Sequence, residues 1–226
     1  MGNEKKIKIL SNGPYQISGS IPFDQLRFVS DKEGASTKYK LIQKYPLQET
    51  YHLCRCGQSE NKPFCDGSHA NGFDGTTTAS FEPYESNATF TEGKVIDLLD
   101  NEKLCAIARF CDTHGDTWTV VEESADKEAI DIVTYQCDNC PSGRLTAVTK
   151  DGKRIEPELP QEISTLEDIS ASVHGPIWVK GGIPVEDELG KMYPIRNRMT
   201  LCRCGRSENK PFCDGRHMEN EGELDD

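Results

Sequence analysis

The feature that most constrains this chain is one stretch that occurs twice. Residues 54–69 read CRCGQSENKPFCDGSH and residues 202–217 read CRCGRSENKPFCDGRH, so the copies differ only at Gln58/Arg206 and Ser68/Arg216. In each copy the soft donors keep the same intervals: Cys, one residue, Cys, eight residues, Cys, three residues, His. Side chains alternate along an extended segment, so Cys54 and Cys56 leave from one face and can share one metal centre. Asp66-Gly67 predicts a helix entry with Asp66 as N-cap. That entry places His69 one step from Cys65 on a helical face and turns the positive end of the helix toward a negatively charged, thiolate-ligated centre. Three thiolates and an imidazole make a four-donor set in each copy.

Both copies resemble the signature of the CDGSH iron-sulfur proteins of the mitoNEET type, C-x-C-x2-S-x3-P-x-C-D-G-x-H. The resemblance implies one 2Fe-2S cluster per copy. Cys54 and Cys56 would hold the inner iron and Cys65 and His69 the outer, with Cys202, Cys204, Cys213 and His217 doing the same in the second copy. Arg216 stands where the motif usually has a small residue, at a position that is not a ligand. A histidine ligand implies a higher potential than all-cysteine ligation. Four Cys and His donors also suit structural zinc, so a zinc-stabilised interaction module without a redox role is the alternative reading. The C-x-C pair followed by eight residues is not the usual zinc-finger spacing, and it favours iron and sulfide.

The two copies use six of the ten cysteines and leave Cys105, Cys111, Cys137 and Cys140 in the middle of the chain. Cys105 and Cys111, with five residues between them, followed by Cys140-Pro141, resemble the divergent single-cluster ferredoxins. That resemblance implies a third cluster, 3Fe-4S or 4Fe-4S. A full 4Fe-4S motif carries another cysteine near Ala108, so three ligands suit 3Fe-4S unless Cys137 serves as the fourth. Cys105 as a small buried hydrophobe, Cys137 and Cys140 as half of a zinc site, and a clusterless fold remain alternatives. His52 and His174 are not matched by histidine in the other copy and read as strand or surface residues, and His114 reads as part of a solvated turn.

The repeat extends beyond the donors. Residues 12–23, NGPYQISGSIPF, are echoed by residues 174–185, HGPIWVKGGIPV, an alternating pattern that predicts a strand leading to each quartet. Residues 24–50 predict a hairpin with an extra loop, ending in a strand over 51–53 that delivers Cys54. Between the copies, 94–110 is apolar at helical intervals, 117–122 (TWTVVE) predicts a strand, 125–135 a second helix and 145–149 a short strand, while 150–170 reads as a linker. The expected fold is α+β: a β-rich pseudo-dimer of two CDGSH half-units sharing a small intertwined sheet, with an inserted small α+β ferredoxin-like segment. The division is 1–86, 87–160, 161–218 and an acidic disordered tail, 219–226.

Only 35% of residues are hydrophobic, so bound metal is expected to carry part of the folding free energy. A net charge of −12 argues against nucleic acid or an anionic membrane as partner. No apolar leader core or membrane-length apolar run is present, so the cysteines read as thiols of a reducing cytoplasm. No dinucleotide fingerprint, phosphate loop or catalytic triad stands out, and no catalytic residue is assigned. The expected function is one-electron transfer or iron-sulfur cluster transfer or sensing, by a monomer whose partners are redox or cluster-acceptor proteins.

Overall fold

The computed structural model describes residues 4–219. The expected acidic tail therefore lies, apart from Glu219, outside the described residues. The fold is α+β and rich in sheet. The first third supplies β1 (Lys6–Ile9), β2 (Tyr15–Ser18), β3 (Phe23–Ser30), β4 (Ser36–Lys44) and β5 (Thr50–Leu53). The middle supplies β6 (Thr89–Thr91), β7 (Asp97–Asp100), α1 (Thr117–Glu123), α2 (Glu128–Asn139) and β8 (Leu145–Val148). The last third supplies β9 (Ile163–Asp168), β10 (Val173–Lys180), β11 (Val185–Glu186) and β12 (Arg198–Leu201).

Each of the two larger sheets draws strands from both ends of the chain. One has the order β11-β1-β2-β5 and the other β12-β10-β9-β3-β4. The short β11 crosses to lie parallel to β1, and β3 crosses to lie parallel to β9. The crossings are equivalent in detail: Ile7 N–H donates to Pro184 O at 2.9 Å, and Ile163 N–H donates to Pro22 O at 3.0 Å. In both cases an Ile-Pro pair precedes the crossing strand, because proline gives up its own N–H but still offers a carbonyl to the neighbouring strand. β2 then meets β5 with Tyr15 opposite Leu53, and β10 meets β12 with Ile177 opposite Leu201.

Alternation along these strands fills a single core between the sheets. Ile7, Ile9, Tyr15, Ile17 and Leu53 pack with Ile163, Ile177, Val179, Val185 and Leu201, all at 1% exposure or less. Side chains of this size buried from water contribute about 1.5–3 kcal/mol each, so both ends of the chain depend on the same apolar set. β3 and β4 form the expected hairpin, which extends the second sheet and packs Phe28 and Tyr39 against Phe110 and Trp178.

The middle segment departs from expectation at three places. Residues 94–110 are not helical: β7 pairs with β6 and β8, a 3-10 turn follows over Glu102–Leu104, and an irregular stretch runs from 105 to 109. Ile96 and Leu98, two residues apart, are the buried pair, so strand alternation outweighs the helical spacing. The expected strand TWTVVE is α1, because the Asp116 carboxylate accepts a hydrogen bond from Thr119 N–H at 2.9 Å and starts a helix despite the β-branched residues. The expected linker 150–170 contains β9, a fully buried strand central to the second sheet. Its polar side chains Ser164, Thr165 and Glu167 concealed it from a reading based on apolar pattern. The helix expected over 125–135 is α2, and the short strand expected at 145–149 is β8.

Candidate metal centres

β5 and β12 each run directly into a cysteine quartet. In the first copy Cys54 N–H donates to Pro63 O at 2.9 Å and Cys65 N–H donates to His52 O at 3.0 Å. In the second, Cys202 N–H donates to Pro211 O at 2.8 Å and Cys213 N–H donates to Thr200 O at 2.9 Å. These bonds fold the stretch before the third cysteine back onto the delivering strand and bring all four donors to one end of it. The Lys-Pro bond in each loop is cis.

Two residue types of the repeat, Ser and Asp, work as loop braces. The Ser59 hydroxyl donates to Phe64 O, and the Ser207 hydroxyl donates to Phe212 O, both at 2.7 Å. The Asp66 carboxylate accepts from Glu60 N–H at 2.8 Å and Ser68 N–H at 3.0 Å, and these backbone donors hold its carboxyl far below the ordinary range. Asp214 accepts from Glu208 N–H in the same way at 2.8 Å. The expected helix at Asp66 is a 3-10 turn over Ser68–Ala70 entered through Gly67, so Asp66 makes a local turn and not an N-cap. A turn of three residues has no macrodipole to offer, so the expected dipole stabilisation is absent.

The donors stand in pairs. Cys54 Sγ lies 3.6 Å from Cys56 Sγ, and Cys65 Sγ lies 3.3 Å from His69 Nδ1. In the second copy Cys202 Sγ lies 3.8 Å from Cys204 Sγ, and Cys213 Sγ lies 3.4 Å from His217 Nδ1. Metal–thiolate bonds of about 2.3 Å and metal–imidazole bonds of about 2.0 Å, at tetrahedral angles, separate two sulfurs by about 3.8 Å and a sulfur from a nitrogen by about 3.5 Å. All four pairs therefore fit one tetrahedral edge each. Among the described residues, no group of three or more Cys, His, Asp or Glu gathers as the holder of a single ion.

The two loops also touch each other. A Cβ on Gly57 would lie 2.6 Å from Cys204 O, and one on Gly205 would lie 2.6 Å from Cys56 O, with φ of +78° and +80°. Only glycine fits both the close approach and the left-handed backbone. Tyr15, from the first half, donates to Cys202 O at 2.9 Å in the second site. Arg55, between the first two cysteines, ties down Gly13 O, Gly75 O and Leu10 O at 2.6–2.9 Å. Its counterpart Arg203 instead pairs with the buried Glu167 at 2.7 Å, and Glu167 pairs with His174 Nδ1 at 2.6 Å. His174 thus belongs to a hydrogen-bonded network around the buried Glu167, while His52 and His114 are exposed. Neither Tyr15 nor Glu167 was found from the sequence, since each acts on a loop far away along the chain.

The two outer pairs differ in their surroundings. Cys65 and His69 are half-buried, whereas Cys213 and His217 are each 3% exposed. Burial pushes the Cys213 thiol up and pushes the His217 imidazole down to about 4. In the inner pairs burial pushes the Cys56 thiol up to about 11, and the Cys204 thiol is pushed up mainly by its bond to Cys202. Deprotonation at these positions needs a compensating cation, which a bound metal supplies.

Of the middle cysteines, Cys105, Cys111 and Cys140 line one cavity of about 230 Å³ together with Ala108, Trp118 and Arg144. Arg144, held by Asp100 at 2.7 Å and 2.9 Å, brings a fixed positive charge to the wall. Cys137 is not among the lining residues. It is fully buried on the apolar face of α2 with Val133, Leu98 and Leu145, where burial pushes its thiol up.

Paired thiolate and imidazole donors at tetrahedral-edge spacing, with a separate three-cysteine cavity, fit the class of iron-sulfur proteins. Family comparison agrees. The family described as iron-binding zinc finger, CDGSH type, matches residues 12–70 and 174–218, and the family described as divergent 4Fe-4S mono-cluster matches residues 91–150. The chain therefore carries two CDGSH regions with a 4Fe-4S mono-cluster segment between them. No curated protein and no solved structure gives a significant match.

Proposed function

We propose that the chain carries two 2Fe-2S clusters, one in each CDGSH quartet, and a 3Fe-4S cluster in the cavity of Cys105, Cys111 and Cys140. Its role is to carry single electrons or hand on clusters to redox or cluster-acceptor proteins. The pairing of the donors supports this most directly: two pairs per quartet match a two-iron centre, whereas one zinc ion would gather all four donors around one point. When bound, such clusters supply one-electron redox chemistry. The residues supply thiolates, an imidazole on each outer pair, and loops folded back onto the delivering strands by backbone hydrogen bonds.

The exchanged strands β3 and β11 support reading the molecule as two half-units fused into one chain, with the middle segment as a ferredoxin-like insert and the whole acting as a monomer. None of the ten cysteines is joined in a disulfide, which suits a reducing cytoplasm. Among the described residues no helix is long and apolar enough to cross a membrane. No catalytic role is assigned to any residue.

Iron and acid-labile sulfide analysis of anaerobically purified protein tests the proposal. Cys65→Ser and Cys213→Ser are each expected to remove one cluster's share of iron and visible absorbance, and the oxidised protein is expected to show the paramagnetic signal of a 3Fe-4S centre. Because an imidazole must give up its metal to take a proton, absorbance should decay faster at pH 5.5 than at pH 8. Colourless protein with bound zinc and no sulfide would overturn the reading.

A further inference from the structure

The two quartets are nearly identical in sequence, yet only one of them is covered. Gly67 and Gly215 hold the same place in the two motifs and both have positive φ. A Cβ built on Gly67 would meet nothing within 4 Å, whereas one on Gly215 would lie 2.5 Å from Ile107 Cδ1 and 3.5 Å from Cys105 O. The middle segment therefore lies across the outer pair of the second site and leaves the first site open. The exposure of the ligands agrees, with Cys213 and His217 buried and Cys65 and His69 only partly so, the turn over Arg216–Glu219 also packing on β10.

The covering stretch is fastened at both ends. On one side Leu104 packs into the main core, and Asn209 Nδ2 of the second motif donates to Lys103 O at 3.1 Å. On the other side Arg109 pairs with Asp168 of β9 at 2.8 Å and donates to Gly34 O at 2.9 Å, while Phe110 is buried beside Trp178 of β10. Between these anchors Ile107 is held at φ +51°. A β-branched side chain is disfavoured there, so the surrounding contacts impose a backbone that this residue would not choose. The result is a large apolar side chain set over Gly215.

We propose that the 105–109 stretch seals the second CDGSH site, so that the two centres have different tasks: the first exchanges its metal with the surroundings, and the second is retained. This rests on the iron-sulfur reading of the quartets, but it does not require the middle cavity to be filled. A chelator that takes ferric ions from an oxidised 2Fe-2S centre, with the sulfides leaving as hydrogen sulfide on protons from water, must reach the outer ligand pair. Only the first pair is open to it.

The test uses full-length, cluster-loaded protein with excess EDTA at pH 8, read by loss of visible absorbance. The two CDGSH centres are expected to decay in two phases that differ by about tenfold or more, the ratio set by the opening of the cover, and any contribution of the middle cluster is recognised because it persists in both cysteine variants. Cys213→Ser should keep the fast phase and Cys65→Ser the slow one. Ile107→Gly relieves the unfavourable backbone as it removes the cover, so it should fold at least as well as the parent. It is expected to speed the slow phase by about threefold or more and leave the fast phase unchanged. Equal rates in the two cysteine variants, or a slow phase indifferent to Ile107→Gly, would overturn the proposal while leaving the iron-sulfur reading in place. Absence of iron and sulfide from the parent protein would overturn both.

Discussion

Glu167 shows how much of a metal loop can depend on a residue outside the motif. Burial alone would raise its carboxyl, but Arg203 and then His174 overcome that and hold it below the ordinary carboxylate range. A carboxylate with a depressed folded-state pKa contributes stability that is complete above its unfolded value and is lost as pH falls through the folded one. The contribution should therefore be present at neutral pH and fade only below the usual carboxylate range. Glu167→Ala leaves the Arg203 guanidinium, 3% exposed, without its counter-charge. Removing one partner of a buried pair costs about 3–5 kcal/mol. Urea denaturation at pH 7 should show that loss, and the second site should lose absorbance first because Arg203 sits between Cys202 and Cys204. The quartets themselves were legible because their donors lie within one short loop. Glu167 was not, because it sits in a polar stretch remote from Arg203 and its role appears only once β9 and β12 share a sheet with β10.

Among the elements, α1 records where local signals compete. Thr117, Thr119, Val120 and Val121 favour a strand, while Asp116 offers a cap to the first turn. The cap and the burial of Val121 in the small core under β7 and β8 decide the outcome. Asp116→Ala should therefore cost about 1 kcal/mol of stability, the usual value of a lost N-cap, readable as a lower urea midpoint without change in iron content. Strands that alternate cleanly and lead into a repeated motif, such as β5, could be read directly. β9 could not, because both its faces are covered, so Ser164 and Thr165 are buried beside Ile163 and Leu166 and the alternation that marks a half-buried strand is absent.

At the scale of the whole molecule, the exchange of β3 and β11 makes each half depend on the other. Without β3, the second half would present the edge of β9 unpaired, and without β11 the first half would expose β1 in the same way. Fragments 1–160 and 161–226, each alone, are therefore expected to lack the CDGSH clusters and the cooperative transition of the two shared sheets, and to regain both when mixed. A cooperative transition from fragment 161–226 by itself would contradict this. The family resemblance implied an intertwined sheet, but no local pattern shows that the two halves exchange strands or which strands cross, since the exchange pairs residues at opposite ends of the chain.

The contact of Gly57 with Cys204 and of Gly205 with Cys56 has a consequence for the order of events during synthesis. The wall of the first pocket is partly made of backbone that belongs to the second motif and leaves the ribosome well after the first. A nascent chain that has emerged only through its first quartet has made half of a mould, and the pocket closes only when the second quartet has followed. Metal delivered earlier would meet an unfinished vessel, so loading of the first quartet must wait for the second.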